Sequence, residues 1–71
     1  MPTKEQYESG ATNLIKRIQE SQLPMTKVRV MTALGNLRLS QYQHTGEARA
    51  RRLAGNCYIA ARYMGLRAGM P

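Results

Sequence analysis

The chain has 71 residues, with a hydrophobic fraction of 42% and a charged fraction of 21%. A chain this short holds one small hydrophobic core at most, which excludes a separate substrate domain, and its apolar content is too high for an intrinsically disordered protein. Lysine and arginine total 11 against four acidic residues, so the formal charge is +7. A surface this basic predicts a polyanionic partner or an acidic protein surface.

The sequence predicts a cytoplasmic protein. Cys57 is the single cysteine, so the chain cannot form an internal disulfide, and nothing in the composition suggests an oxidising compartment. No apolar run approaches the roughly 20 residues that span a bilayer, and residues 1–5 lack the apolar stretch of a signal peptide. We therefore expect neither secretion nor a membrane partner.

The excess positive charge lies in the C-terminal two-thirds of the chain. Residues 1–25 carry three basic residues, Lys4, Lys16 and Arg17, and three glutamates that balance their charge. In residues 26–71, Glu47 is the single acidic residue. Any polyanion-binding surface is therefore expected within residues 26–71.

The first predicted helix covers residues 3–22. Thr3 and Gln6 have the spacing of a capping box, in which each side chain accepts a hydrogen bond from the other residue's backbone N–H. Pro24 predicts that the helix ends before it. Intervals of three and four place a mostly apolar stripe on one side, formed by Tyr7, Ala11, Leu14, Ile15, Ile18 and Gln22.

Residues 26–43 are expected to form one helix or two. Thr26 is a candidate N-cap. Gly35-Asn36 either ends a first helix, leaving a second over 37–43, or lies within one helix at a cost of about 1 kcal/mol relative to alanine. A strand over 28–30 is less favoured, because the chain has no second strand-like segment to pair with it. The expected buried side consists of Val28, Met31, Leu34 and Leu37 or Leu39.

The last predicted helix covers residues 45–64. Thr45 is a candidate N-cap with Glu47 in the first turn, Gly65 suits a left-handed C-terminal cap, and residues 66–71 are expected to form a flexible tail. The pattern predicts an all-α fold, one small domain of three to four short helices over residues 1–71. The near-heptad stripe of this helix consists of Ala50, Leu53, Cys57, Ala60, Ala61 and Met64.

The chain is not expected to be an enzyme. It has one histidine, one cysteine and four glutamates, too few for a nucleophile with its base or for a set of metal ligands. His44 is predicted to be a solvated turn residue, and Cys57 a small core residue. No Gly-rich phosphate loop is present. We therefore expect no catalytic residue, metal, cofactor or small-molecule substrate.

The residues on a second face of the last helix predict a binding surface. Arg51, Gly55, Tyr58 and Arg62 recur at intervals of four, three and four, so they share one side of the helix, with a notch at the glycine. Arginine favours bidentate contacts with phosphate or carboxylate groups. The alternative interpretation is a solvated helix face with Tyr58 partly in the core.

Other basic residues extend this candidate surface. Arg49 and Arg52 form an adjoining row, and the second helix is expected to add Lys27, Arg29 and Arg38. Tyr42 and Tyr63 are expected in the core or at its rim. The candidate partner- or phosphate-binding residues are Lys27, Arg29, Arg49, Arg51, Arg52, Tyr58 and Arg62.

One alternative function is that of a small basic DNA- or RNA-binding protein without a protein target, including a divergent helix-turn-helix regulator. The helix-turn-helix pattern fits poorly with either candidate turn glycine. Gly35 places polar Asn36, Gln41 and His44 where apolar contacts are expected. Gly46 leaves Gln41 and Tyr42 in a supposed core.

The chain resembles the small phage-encoded regulators of host RNA polymerase in size, basic charge and the order of a neutral helix over 3–22 and an arginine-rich segment over 45–53. The resemblance covers the whole chain and includes no diagnostic motif, so it assigns no role to any residue. It implies a non-enzymatic transcription regulator that binds bacterial RNA polymerase, inhibiting initiation or promoting antitermination in the host cytoplasm. The neutral helix would then dock on protein, and the basic part would contact nucleic acid or acidic polymerase surface.

Overall fold

The computed structural model of the chain describes residues 3–67 and residue 69. Within those residues it contains three α-helices and no strand: α1 (Lys4–Glu20), α2 (Pro24–Thr45) and α3 (Ala48–Arg67). The predicted all-α class of a single small domain is confirmed.

The capping box predicted for α1 is present. The Thr3 hydroxyl accepts a hydrogen bond from the Gln6 backbone N–H at 3.2 Å, and the Gln6 side-chain oxygen accepts one from the Thr3 N–H at 2.9 Å. Two of the unpaired N–H groups at the start of the helix are thereby satisfied. The helix ends at Glu20, before Pro24 as expected.

Residues 26–43 belong to one continuous helix that is longer than predicted. Pro24 begins α2, because its fixed φ angle suits the first helical position and its missing N–H has no partner there in any helix. Leu23 is the N-cap residue and makes no side-chain capping bond, so the prediction of Thr26 as N-cap was wrong. The helix continues through Gly35 and Asn36 without interruption.

A tight turn separates α2 from α3. Gly46 has φ 73° and ends α2 in the left-handed conformation that glycine tolerates best. The prediction that Gly65 forms such a cap at the end of the last helix was wrong, because Gly65 is buried inside α3. Thr45 is the last residue of α2, and its hydroxyl accepts a hydrogen bond from the Glu47 N–H at 3.2 Å.

Two further expectations for α3 need correction. Glu47 precedes the helix and does not lie in its first turn, since α3 begins at Ala48. Leu66 and Arg67 belong to α3 and not to a tail. Residues 68, 70 and 71 of the expected tail lie outside the described residues.

The three helices run up, down and up, with α2 in the middle. Tyr7 of α1 reaches Ser40 and His44 near the end of α2, which makes these two helices antiparallel. Gly35 of α2 lies against Tyr58 of α3. Along the pair of helices, residues that contact each other or line the same groove have numbers of nearly constant sum, which makes α2 and α3 antiparallel. These pairs are Lys27 with Met64, Thr32 with Ala61, Gly35 with Tyr58 and Tyr42 with Arg51.

The hydrophobic core is small and consists largely of alanine. Leu34 of the predicted α2 stripe is buried, whereas Val28 and Met31 of that stripe are half-buried. Val30, outside the stripe, is buried too, because α2 packs against both neighbours. Ile15 of the predicted α1 stripe is exposed. A core of this size is expected to supply about 3–5 kcal/mol of net stability. The buried apolar residues are Tyr7, Ala11, Val30, Leu34, Ala50, Ala54 and Ala61.

Candidate polyanion-binding surface

A polar cluster inside the domain joins the helices. Arg38 of α2 is only 7% exposed, and its guanidinium donates to Glu8 of α1 at 2.8 Å and to the side chain of Gln41 at 2.9 Å. Gln41 is 1% exposed and in turn donates to Glu47 at 3.4 Å. The prediction that Arg38 joins the basic surface was therefore wrong, because its charge is used inside the fold.

Arg49 of α3 also contacts this cluster. Its guanidinium lies 3.6 Å from the Glu8 carboxylate, so one glutamate serves two arginines from different helices. The hydrogen bond from Arg38, together with the positive charges of Arg38 and Arg49, holds the pKa of Glu8 below its usual value despite the opposing effect of burial. Arg49 is therefore partly neutralised, although its side chain remains largely exposed.

The lowered pKa of Glu8 predicts an acid-sensitive contribution to stability. A carboxyl group whose pKa is lower in the folded state than in the unfolded state stabilises the protein at pH values above the unfolded-state pKa. This stabilisation is lost as the pH falls through the folded-state pKa. Urea unfolding at near-neutral pH should show the unmodified protein more stable than Glu8→Gln. The difference should begin to shrink near the ordinary glutamate pKa, at about pH 4, and should vanish only below the lowered folded-state pKa. A constant difference at all pH values would contradict the proposed ion pairs.

The internal cluster leaves a strongly cationic exterior on the α2–α3 hairpin. Residues 26–71 contain no side-chain carboxylate besides Glu47, and that one accepts its hydrogen bond from buried Gln41. Five predicted candidate residues are exposed, of which Arg49 is paired with Glu8 and the other four are Arg29, Arg51, Arg52 and Arg62. We call the side of the hairpin formed by Arg29, Arg51 and Arg62 the arginine surface.

An open groove lies between α2 and α3 beside this surface. Its volume is about 410 Å³, and its lining includes Val28, Thr32, Tyr58 and Arg62. Arg51 lies farther along the same side of α3, with its guanidinium 5.8 Å from the centre of the Tyr42 ring, a distance typical of a cation–π contact. The attraction to the ring favours this position of the guanidinium at the surface.

Tyr58 has a structural role, which favours the core interpretation over the binding one. Its ring packs on the bare backbone of Gly35, where an added Cβ would come within 2.7 Å of the ring. Its hydroxyl donates to the Asn36 side chain at 2.6 Å. The ring and the hydroxyl are both engaged within the hairpin, so Tyr58 positions α3 and does not offer a stacking platform.

The structure does not bring all the remaining candidate residues together. Lys27 is half-buried near the start of α2 and lines a second groove of about 350 Å³ with Met64 and Arg67. Arg52 points away from the core, because at about 100° per residue it lies opposite the buried side of α3. The expected notch at Gly55 is open, since an added Cβ would meet no described atom within 4 Å.

The α3 helix carries an exposed apolar face that was not predicted from the sequence. Ile59, Tyr63 and Leu66 are 70%, 62% and 65% exposed, so the prediction of Tyr63 in the core or its rim was wrong. Their spacing of four and three is the signal that was available, and we call these three residues the apolar ridge. The guanidinium of Arg67 lies 5.8 Å from the centre of the Tyr63 ring.

Two residues with potential chemistry have ordinary structural positions. Cys57 is half-buried, and burial raises the pKa of its thiol, which lowers its reactivity. His44 is exposed as expected but lies within α2, where its ring is stacked on that of Tyr7. Across residues 3–67, none of the helices is both long enough and apolar enough to cross a bilayer.

Comparison with known proteins gives no family for this chain. No family model, curated protein or solved structure matches it.

Proposed function

We propose that this protein is a non-enzymatic binding protein that holds the phosphate backbone of DNA or RNA on its arginine surface. The observation that carries the proposal is the charge separation: Glu8 and Glu47 take part in the internal cluster, whereas Arg29, Arg51 and Arg62 are exposed. Such a surface releases counterions when it neutralises phosphates, which is the main source of non-specific affinity for nucleic acids.

The spacing of the arginines suits an extended backbone. Arg51 and Arg62 are eleven residues apart on one helix, which corresponds to about 17 Å along its axis. One strand of a duplex carries a phosphate about every 3.4 Å of axis, so the two guanidinium groups can contact phosphates several nucleotides apart. The side-by-side antiparallel hairpin gives no support to a helix-turn-helix mode, in which the two helices meet at about 90–120°.

Charge removal on the arginine surface is expected to change the salt dependence of binding. Arg51→Gln and Arg62→Gln should each reduce the slope of log affinity against log salt by about 1, because each removes one phosphate contact. Fluorescence anisotropy with a labelled oligonucleotide measures this slope. Arg17 is exposed on α1, so Arg17→Gln is the matched control with the same charge change. Equal effects of all three variants would indicate general charge attraction and contradict a defined surface.

A second proposal is that the chain regulates transcription by binding bacterial RNA polymerase, inhibiting initiation or promoting antitermination. It rests on the resemblance in size, charge and helicity, and it is favoured by the apolar ridge, since apolar side chains add little to phosphate binding and much to protein interfaces.

Purified bacterial RNA polymerase provides the test of this second proposal. The immobilised protein should retain nuclease-treated polymerase at moderate salt, because a packed protein interface is less sensitive to salt than phosphate contacts. Retention that occurs only when DNA or RNA is left intact would contradict polymerase binding and favour the nucleic-acid proposal.

A further inference from the structure

The apolar ridge has the geometry of a helix-docking face. Its three side chains lie at positions i, i+4 and i+7 of α3, so they follow one another along two turns on the side opposite the buried residues. An apolar stripe of this spacing is the pattern by which one helix packs against another.

Arginines border the ridge on both sides. At about 100° per residue, Arg62 and Arg67 fall on opposite flanks of Ile59, Tyr63 and Leu66. The contact of Arg67 with the Tyr63 ring holds one of these charges at the edge of the apolar side chains. The α3 segment, Ala48–Arg67, contains five arginines and no aspartate or glutamate.

This charge pattern distinguishes among the partners that could bind to the apolar ridge. A second copy of the chain would bring its own arginines against these, with no carboxylate on either α3 to compensate, and like charges brought together across an interface are strongly unfavourable. A phosphate backbone would leave the isoleucine, tyrosine and leucine without apolar partners. A helix with an apolar stripe and carboxylates along its edges would cover the apolar side chains of the ridge and would pair with the arginines that border it.

We propose that the apolar ridge binds an acidic amphipathic helix of a partner protein, with the apolar stripe of that helix on Ile59, Tyr63 and Leu66 and its carboxylates beside Arg62 and Arg67. The apolar side chains of the ridge lie on a different side of α3 from Arg51, so the apolar contacts of this inference do not depend on the nucleic-acid proposal. Arg62 belongs both to the arginine surface and to the border of the ridge. The two binding events would use adjoining faces of one small domain that share Arg62.

Binding of a designed peptide tests this inference. The probe is a labelled helical peptide of about five turns, with leucine along one stripe, glutamate on both edges and alanine elsewhere. A peptide of the same composition in scrambled order, and one with lysine in place of glutamate, are the controls. The full-length protein should bind only the first peptide.

Variants of the ridge locate the binding. Ile59→Ser and Leu66→Ser should each weaken binding by about 10- to 100-fold, as expected for loss of one buried aliphatic side chain. Ile15→Ser removes an exposed isoleucine from α1 and is the matched control, expected to leave affinity unchanged. Because all these side chains are exposed, the variants should fold, which circular dichroism verifies.

Each other occupant has its own signature in the same experiments. Equal binding of the scrambled peptide, or no effect of Ile59→Ser, would overturn the proposal. A dimer seen by sedimentation and dissociated by Ile59→Ser would assign the ridge to a second copy. Binding to vesicles with anionic lipids that Ile59→Ser abolishes, without peptide binding, would assign it to a membrane surface. Oligonucleotide affinity of Ile59→Ser should stay unchanged, which separates failure here from failure of the nucleic-acid proposal.

Discussion

Gly35→Ala is expected to lower the free energy of unfolding by about 1–3 kcal/mol, as overpacking of a close contact does. The new Cβ would lie 2.7 Å from Tyr58 Cε1 and 2.9 Å from Cδ1, so the ring must shift. Its hydroxyl is held by Asn36 at the far end, which limits that movement. This loss is a large fraction of the stability of so small a domain, and urea denaturation measures it.

The same substitution at Gly55 is expected to have the opposite sign. Gly55 also lies within a helix, but an added Cβ there would meet no described atom within 4 Å. Alanine should therefore stabilise the protein by about 0.5–1 kcal/mol, the ordinary difference in helix propensity. In a Tyr58→Ala background, Gly35→Ala should lose its penalty, because the ring that it strikes is gone. A penalty that persists there would show that the contact with Tyr58 is not its cause.

Arg38→Met is expected to destabilise the protein by about 2–4 kcal/mol, the range for removing one partner of a buried charged network. Methionine fills much of the volume of the arginine stem but donates no hydrogen bonds. The carboxylate of Glu8 and the buried side-chain oxygen of Gln41 would lose their donor.

Arg29→Met is the matched control for this substitution, since Arg29 lies on the same helix and is exposed. Arg29→Met should change the free energy of unfolding by no more than about 0.5 kcal/mol. The Arg38→Met variant should also lose most of the acid sensitivity assigned to Glu8, because the hydrogen bond that lowers the pKa of Glu8 is the one removed. Equal unfolding midpoints for the two variants would contradict the internal role of Arg38.

Local signals predicted the parts of the fold that depend on neighbouring residues. The capping box at Thr3 and Gln6 and the end of α1 before Pro24 involve groups a few positions apart, and the structure contains both. The continuity of α2 at Gly35 involves Tyr58, 23 positions away. A glycine that interrupts a helical pattern and one that accommodates a ring from another helix look the same in sequence.

The candidate site was predicted only in part, because it too depends on contacts between residues that are far apart in sequence. Exposed Arg51, Arg52 and Arg62 followed from the charge and spacing of α3. The burial of Arg38 did not, because charged residues are almost never buried unless paired, and its partner Glu8 lies 30 positions away. One signal was available: Arg38 continues the spacing of buried Leu34 and Gln41 at intervals of four and three.

The charge separation is central to the proposed function, and nuclear magnetic resonance can locate the bound phosphates directly. Backbone amide shifts of this 8.0 kDa chain should be recorded during titration with a short oligonucleotide at moderate salt. The largest changes should follow the arginine surface around Arg29, Arg51 and Arg62, with small changes along α1. Changes concentrated on α1, or shifts that do not saturate on any face, would contradict the proposal that the arginine surface binds the phosphate backbone.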